Sequence, residues 1–107
     1  MLFMCAYQVD RDKQADTQAF FANMTEEQIA AEYPDGVKQV GRWHDVPNGN
    51  GWIVVETEDQ EALTSWILSW SGSVLFPTVT PIVDDETARK LVKAMLVSHA
   101  SLTIPRK

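Results

Sequence analysis

The sequence predicts a single α+β domain in which two helices cover one face of a four-stranded antiparallel sheet. Runs rich in β-forming residues alternate with stretches of helical periodicity, and two Asn-Gly dipeptides separate two consecutive β-rich runs, which is a strong hairpin signal. The chain has 107 residues, and 45% of them are hydrophobic. This length is enough for one hydrophobic core and too short for two. We expect the domain to span residues 1–97 and a C-terminal tail to follow over residues 98–107.

The first third of the chain predicts one strand and two helices. Residues 2–9 are aromatic and β-tolerant and end at a charged turn, as a strand does. Residues 13–24 change to helical spacing, with an apolar stripe of Ala15, Ala19, Phe20 and Met24. Thr25 and Gln28 then have the spacing of a capping box. This box predicts a second, short helix that runs to Tyr33 and ends before a Pro-Asp-Gly sequence.

The middle of the chain predicts a hairpin and a further helix. Residues 37–46 and 52–57 form the two strands of the hairpin, on either side of the sequence Pro-Asn-Gly-Asn-Gly. A helix follows over residues 59–70, with Thr57 and Gln60 as its candidate caps. The apolar stripe of this helix consists of Leu63, Trp66, Ile67 and Trp70.

The last third predicts a strand and a terminal helix. The strand over residues 74–83 contains Pro77 and Pro81, which lack an amide for pairing, so it should lie at an edge or be kinked. The helix begins at the acidic residues 84–86, which suit the positive end of a helix dipole, and continues to about Val97. The complete order is the ferredoxin-like β-α-β-β-α-β, with an extra C-terminal helix.

Both faces of the predicted sheet are apolar. Side chains alternate between the two faces of a strand. In strand one, this alternation places Leu2, Met4 and Ala6 on one face and Phe3, Cys5, Tyr7 and Val9 on the other. In strand three, Trp52 and Val54 lie on one face and Ile53 and Val55 on the other. In strand four, Phe76 and Ile82 lie on one face and Leu75, Val79 and Val83 on the other. The face away from the helices therefore needs a cover. We expect a second copy, packed face to face in a dimeric α/β barrel. The alternative is that the last helix or the tail folds over this face within one chain.

Composition and charge exclude several classes of partner and cofactor. Fifteen acidic residues stand against nine basic ones, without the basic stripe that nucleic acid or an anionic membrane would require. The single cysteine, Cys5, provides no disulfide and no thiol pair for zinc, and it suits a reducing cytoplasm. His44 and His99 are far apart and have no metal-ligand spacing. We therefore predict that the protein binds no nucleic acid, membrane, metal or cofactor.

Several segments resemble a small bacterial and phage family of unknown function over roughly residues 1–95. The most distinctive is Gly-Arg-Trp-His at residues 41–44, accompanied by Pro-Asp-Gly-Val-Lys at 34–38 and Gly-Trp-Ile-Val-Val-Glu at 51–56. That family resembles the ferredoxin-like, dimeric α/β-barrel superfamily, which implies the fold and a homodimer. The resemblance implies no activity, because relatives include small monooxygenases, haem-associated enzymes and ligand binders. The turn at residues 25–33 and the tail after Val97 depart from the family pattern.

The same motif supplies the candidate ligand-binding residues. Period two places Arg42 and His44 on one face of their strand, together with Val40 and Val46. With Val46 opposite Trp52 in the hairpin, Arg42 faces Glu56 and His44 faces Val54, whereas a two-residue loop would shift this register. A cation, a carboxylate and an imidazole in an apolar cavity can bind a small molecule or transfer a proton. The same Arg-Glu pair could instead satisfy buried polar groups at a dimer interface.

Two of the four tryptophans extend the candidate site. Trp43 and Trp52 lie at the hairpin end, where a barrel would open, whereas Trp66 and Trp70 have the spacing of helix core residues. Two functions follow from these residues. The first is small-molecule binding by a dimeric barrel, with catalysis left open. The second is a non-catalytic accessory or protein-interaction module whose barrel is filled by side chains.

Overall fold

The computed structural model describes residues 1–101, and the side chains of residues 1–99, and it confirms the α+β architecture. The elements are β1 (Leu2–Val9), a 3-10 turn (Arg11–Lys13), α1 (Gln14–Ala22), α2 (Glu26–Ala30), β2 (Lys38–Asp45), β3 (Asn50–Glu56), α3 (Gln60–Ser69), β4 (Val74–Ile82) and α4 (Asp85–Ser101). All four strands form one antiparallel sheet in the order β2-β3-β1-β4. This order results from two interleaved βαβ units, and it places β4 at an edge, as its two prolines predict.

Local capping signals define the helix boundaries. The capping box at α2 is confirmed, because the Thr25 hydroxyl accepts from the Gln28 amide and the Gln28 side chain accepts from the Thr25 amide. The predicted cap of α3 was wrong: the Asp59 carboxylate accepts from the Ala62 amide, and the Thr57 hydroxyl instead accepts from the Asp59 amide. α4 continues past Val97 to Ser101, so the predicted tail begins as helix. The rest of that tail lies outside the described residues.

The core lies between α3 and the sheet. Leu63 and Trp66 of α3 are buried, as their stripe predicts. The Trp66 ring stacks on Tyr33 at a centroid distance of 5.2 Å and contacts Phe76 of β4 at 5.3 Å. The buried members of this cluster are Cys5, Val37, Ile53, Val55, Leu63 and Trp66. One helix therefore supplies most of the apolar cover for the centre of the sheet.

α1 packs in a different way, and the predicted stripe on it was wrong. No residue of α1 is buried, and Ala15, Ala19 and Phe20 are exposed. The less exposed positions are Gln14, Thr17 and Gln18, at the spacing of one helical face. The Gln14 and Gln18 side-chain amides donate to the carbonyls of Pro47 and Val46 in the β2–β3 loop. Polar tethers to this loop therefore hold α1 against the sheet, together with ring contacts of Phe20 with Trp70 and of Phe21 with His44.

Two bulges change the predicted faces of the strands. One extra residue in β2, between Gln39 and Gly41, places Gln39 on the same face as Arg42. Separately, the hairpin closes with Asp45 opposite Asn50 and not with Val46 opposite Trp52, which leaves Arg42 opposite Ile53 and His44 opposite Gly51. The predicted pairs Arg42–Glu56 and His44–Val54 were therefore wrong. A second bulge in β4, opposite Tyr7, places Phe76 under the helices while Ile82 pairs with Leu2 on the other face. Phe76 and Ile82 thus do not share a face, contrary to the simple alternation.

The sheet face away from the helices, here called the open face, is apolar, as predicted. Trp43 pairs with Trp52 across β2 and β3, and Met4, Trp43, Trp52 and Leu75 are exposed. The described part of α4 does not cover this face, because every described α4 side chain except Ala88 is itself exposed. Of the two covers considered above, the folded-back last helix is therefore excluded for the described residues.

Candidate functional site

A pocket of about 300 Å³ lies under α1, on the helix-covered side of the sheet. We call it the α1 pocket. Tyr7 and Ile53 form part of its floor, and Phe21 of α1 and Phe76 of β4 form part of its walls. Its volume is at the small end of the range for ligand pockets. The pocket exists because α1 is held at its loop end by polar tethers and does not fill the space beneath itself.

Tyr7 and His44 form a hydrogen-bonded pair within this pocket. Their Oη and Nδ1 atoms are 2.5 Å apart, and the two rings meet edge to face. Gly51, opposite both Tyr7 and His44 in the sheet, makes room for them, because a Cβ there would lie 2.2 Å from the Tyr7 ring. Phe21 packs on the other side of His44 at a centroid distance of 5.1 Å. Sheet register and α1 thus fix the orientation of the imidazole.

Both members of this pair are neutral near pH 7. Burial raises the pKa of Tyr7, with Asp45 adding to the rise and Arg42 opposing it. Burial and the nearby Arg42 charge lower the pKa of His44, against a smaller opposing effect of Glu32. We therefore assign the Tyr7 hydroxyl as donor to Nδ1 of a neutral imidazole, with the ring proton on Nε2. In this arrangement His44 has an N–H to offer a bound molecule.

Arg42 is held by Glu32, just after α2, and not by Glu56. Its guanidinium donates from two nitrogens to the two carboxylate oxygens, at 2.6 and 3.1 Å. Only 15% of the Arg42 side chain and 5% of the Glu32 side chain are exposed. Burial opposes the charge on Arg42, but the hydrogen bonds and negative charge of Glu32 outweigh it, so the pKa of Arg42 is raised. The cation lining the pocket is thus compensated within the chain.

The structure divides the five predicted ligand-binding residues between the two faces of the sheet. Arg42 and His44 line the α1 pocket together. Trp43, Trp52 and Glu56 lie on the open face, where Glu56 is opposite Lys38 of β2 and Leu2 of β1. The Trp43 ring covers Gly41 on that face, where a Cβ would lie 2.4 Å from it. The five residues therefore do not form one site.

Sequence reasoning missed several residues of the pocket. Tyr7 was treated only as a strand residue, and Glu32 and Phe21 only as helix residues, yet all three contact His44 or Arg42 directly. The Arg42 guanidinium carbon also lies 5.2 Å from the centre of the Phe21 ring. The sequence signal for the ion pair with Arg42 was Glu32 itself, a single carboxylate between a short helix and a Pro-Asp-Gly turn. Its position relative to Arg42 depends on how the chain crosses from α2 to β2.

Other candidate chemical groups lie apart from the pocket. Cys5 is fully buried in the core, and burial raises the pKa of its thiol to about 11, in agreement with the predicted packing role. Within the described residues, no group of three or more His, Cys, Asp or Glu side chains is arranged to hold a metal ion. In the same part of the chain, no helix combines the length and apolar character needed to cross a membrane.

The fold and the pocket define a small α+β protein with a four-stranded antiparallel sheet and an apolar cavity beneath its first helix. Residues 1–96 match the family model described as "Domain of unknown function (DUF3303)", and the chain belongs to this family. The resemblance to a family of unknown function is therefore confirmed at this level. No curated protein and no solved structure matches the chain at a significant level.

Proposed function

We propose that this protein binds a small, mostly apolar and uncharged molecule in the α1 pocket, with Tyr7 and His44 contacting its polar group. One observation carries the proposal: an apolar pocket of about 300 Å³ contains a hydrogen-bonded pair of neutral polar side chains. Ligand sites are commonly apolar cavities with a few oriented polar groups. Glu56, Trp43 and Trp52 lie on the other face, and we do not include them in this site.

The charges of the pocket favour an uncharged ligand. Arg42 is neutralised by a two-fold hydrogen bond to Glu32, so it offers little net attraction to an anion. His44 is uncharged near pH 7, because burial and Arg42 lower its pKa. A carbonyl or hydroxyl group on the ligand could accept from the Nε2–H of His44. A carbonyl-bearing molecule therefore fits this pocket better than an anionic one.

We also propose that the functional unit is a homodimer joined through the open face. Met4, Trp43, Trp52 and Leu75 leave an apolar surface on that face. A two-fold axis would let this surface cover itself in a second copy. The α1 pocket lies on the opposite side of the sheet, so dimer formation through the open face would leave it accessible. With Cys5 reduced and no partner thiol in the chain, the reducing cytoplasm is the compartment we propose.

Pocket filling on α1 tests the binding proposal. Ala22 and Ala19, one turn earlier on the helix, are both exposed, but only Ala22 is part of the pocket lining. We expect Ala22→Trp to abolish binding of the uncharged fluorescent probe N-phenyl-1-naphthylamine, and Ala19→Trp to leave it unchanged. Native mass spectrometry of the freshly purified protein should show retained mass that Ala22→Trp loses.

Three outcomes of this experiment contradict the binding proposal. If the wild-type protein binds no probe and retains no extra mass, the pocket does not bind small molecules. If both tryptophan variants bind the probe equally well, the probe occupies another surface, such as the open face. If Tyr7→Phe and His44→Gln leave the affinity for retained molecules unchanged, the polar pair has no role in recognition. The first two results favour the interaction module.

A further inference from the structure

Aromatic rings from five different parts of the fold line the α1 pocket. Three of the rings belong to strands of the sheet, one belongs to α1, and one belongs to the residue that follows α3. They are the side chains of Tyr7, Phe21, His44, Trp70 and Phe76. Because these elements meet around the cavity and do not all lie on one side of it, a bound molecule would contact rings in more than one direction.

Contacts behind the cavity hold several of these rings in place. The Phe76 ring contacts the buried Trp66 ring at a centroid distance of 5.3 Å. The Phe21 ring packs on His44 at 5.1 Å, and the guanidinium carbon of Arg42 lies 5.2 Å from its centre. Walls that are fixed in advance lose little conformational freedom when a ligand binds. Aromatic pairs also gain edge-to-face and offset-stacked contacts beyond the burial of area, so such walls favour a ligand that has a flat ring of its own.

Most polar side chains of the lining are engaged within the chain. The Gln18 amide donates to a backbone carbonyl of the β2–β3 loop, the Asp45 carboxylate accepts from a side-chain amide of that loop, and Arg42 is paired with its carboxylate. Thr17 adds a hydroxyl from α1, and His44 offers its Nε2–H. A ligand that covers this N–H without accepting from it removes its hydration and gives no hydrogen bond in return. The pocket therefore favours an acceptor oxygen over a plain hydrocarbon.

We propose that the ligands of the α1 pocket are planar aromatic carbonyl compounds of one or two rings. This inference rests on the binding function proposed above and names its ligand class. The ligand ring contacts the aromatic walls, and its carbonyl oxygen accepts from the Nε2–H of His44. The volume of about 300 Å³ limits the ligand to a small ring system.

Displacement of N-phenyl-1-naphthylamine from the full chain by three matched compounds tests the ligand class. 2-Acetylnaphthalene has both the flat ring system and the carbonyl, 2-ethylnaphthalene lacks the carbonyl, and 2-acetyldecalin has saturated rings. We expect 2-acetylnaphthalene to bind about tenfold more tightly than either of the others. Both comparison compounds are more apolar than 2-acetylnaphthalene, so burial of apolar surface alone would favour them instead.

Matched variants test whether the preference comes from the pocket. Trp70→Leu removes a ring from the α1 pocket, whereas Trp43→Leu removes one from the open face. We expect Trp70→Leu to reduce the preference for 2-acetylnaphthalene over 2-acetyldecalin by about threefold or more, and Trp43→Leu to leave it unchanged. His44→Phe keeps a ring but removes the donor, so it should reduce the preference over 2-ethylnaphthalene. Each preference is a ratio measured on one variant, so a general loss of affinity cancels.

The outcomes separate the ligand class from the pocket itself. If the wild-type protein binds N-phenyl-1-naphthylamine but 2-acetyldecalin or 2-ethylnaphthalene displaces it as well as 2-acetylnaphthalene does, the ligand class is wrong and the binding proposal stands. Failure of all three compounds to displace the bound probe has the same meaning. A wild-type protein that binds no probe overturns both proposals. A preference that is lost in Trp43→Leu and kept in Trp70→Leu would place the compounds on the open face and overturn the inference.

Discussion

The two helices that cover the sheet make different contacts with it. α3 buries Leu63 and Trp66 and closes the core against Phe76. α1 buries no residue and leaves the α1 pocket beneath it. The same sheet thus supports one packed half and one incompletely filled half. We infer that the α3 half supplies most of the stability of the domain, while the α1 half is free to accommodate a ligand.

Removal of one aromatic ring from each half should produce the largest difference in the free energy of unfolding. Trp66 is 1% exposed, and we expect Trp66→Ala to lower the free energy of unfolding by about 3–5 kcal/mol, because it opens a cavity in the core. Phe21 is 42% exposed, and Phe21→Ala should cost about 1 kcal/mol. Urea unfolding measures both values. Equal losses would mean that α1 is as important to the core as α3.

Loss of the Arg42–Glu32 ion pair should have the next largest effect on the free energy of unfolding. Glu32→Ala leaves a partly buried guanidinium without its carboxylate, and we expect a loss of about 3 kcal/mol in urea unfolding. The double variant Glu32→Ala with Arg42→Met should regain much of this stability, because it removes the unpaired charge as well.

The same single variant tests the charge argument for the α1 pocket. With Arg42 uncompensated, the anionic probe 1-anilinonaphthalene-8-sulfonate should bind more tightly than it binds the wild type, whereas the uncharged probe should not. No gain in affinity for the anion would show that the Arg42–Glu32 pair does not determine the ligand charge.

Acidification should have the smallest effect on stability. The pKa of His44 is lowered in the folded protein, so below about pH 6.5 the unfolded chain binds this proton more readily. The contribution of neutral His44 is therefore present above pH 6.5 and is lost as the pH falls below it. Because solvent reaches this imidazole, the change should stay below about 1 kcal/mol. Urea unfolding of wild type and His44→Gln at pH 7 and pH 5.5 should show a smaller pH dependence in the variant.

The element order could be predicted from the sequence because it depends on local signals. Asn-Gly turns, the Thr25–Gln28 capping box, the α3 stripe and the prolines of β4 each act within a few residues. The alternation of side chains along each strand, which is also a local property, predicted the two apolar faces of the sheet. For the element order, the local signals and the overall topology agree.

The site could be predicted only in part because it depends on register. The hairpin closes at Asp45–Asn50, which places Arg42 opposite Ile53 and not Glu56, and the two Asn-Gly dipeptides do not specify which loop length is used. Adjacent Phe20 and Phe21 gave α1 two competing faces, and the tethers from Gln14 and Gln18 determined which one meets the sheet. Arg42 and His44 share a face at any register, and this is why they were placed together correctly.

The edges of the sheet limit how copies of this chain can aggregate. β4 contains Pro77 and Pro81, and a proline has no amide hydrogen to offer an added strand. β2, the opposite edge, is interrupted by its bulge and carries Lys38 and Asp45. Extension of the sheet into a continuous fibril is therefore disfavoured at both edges. The open face can therefore stay exposed on a single copy while both edges of the sheet resist the addition of further strands.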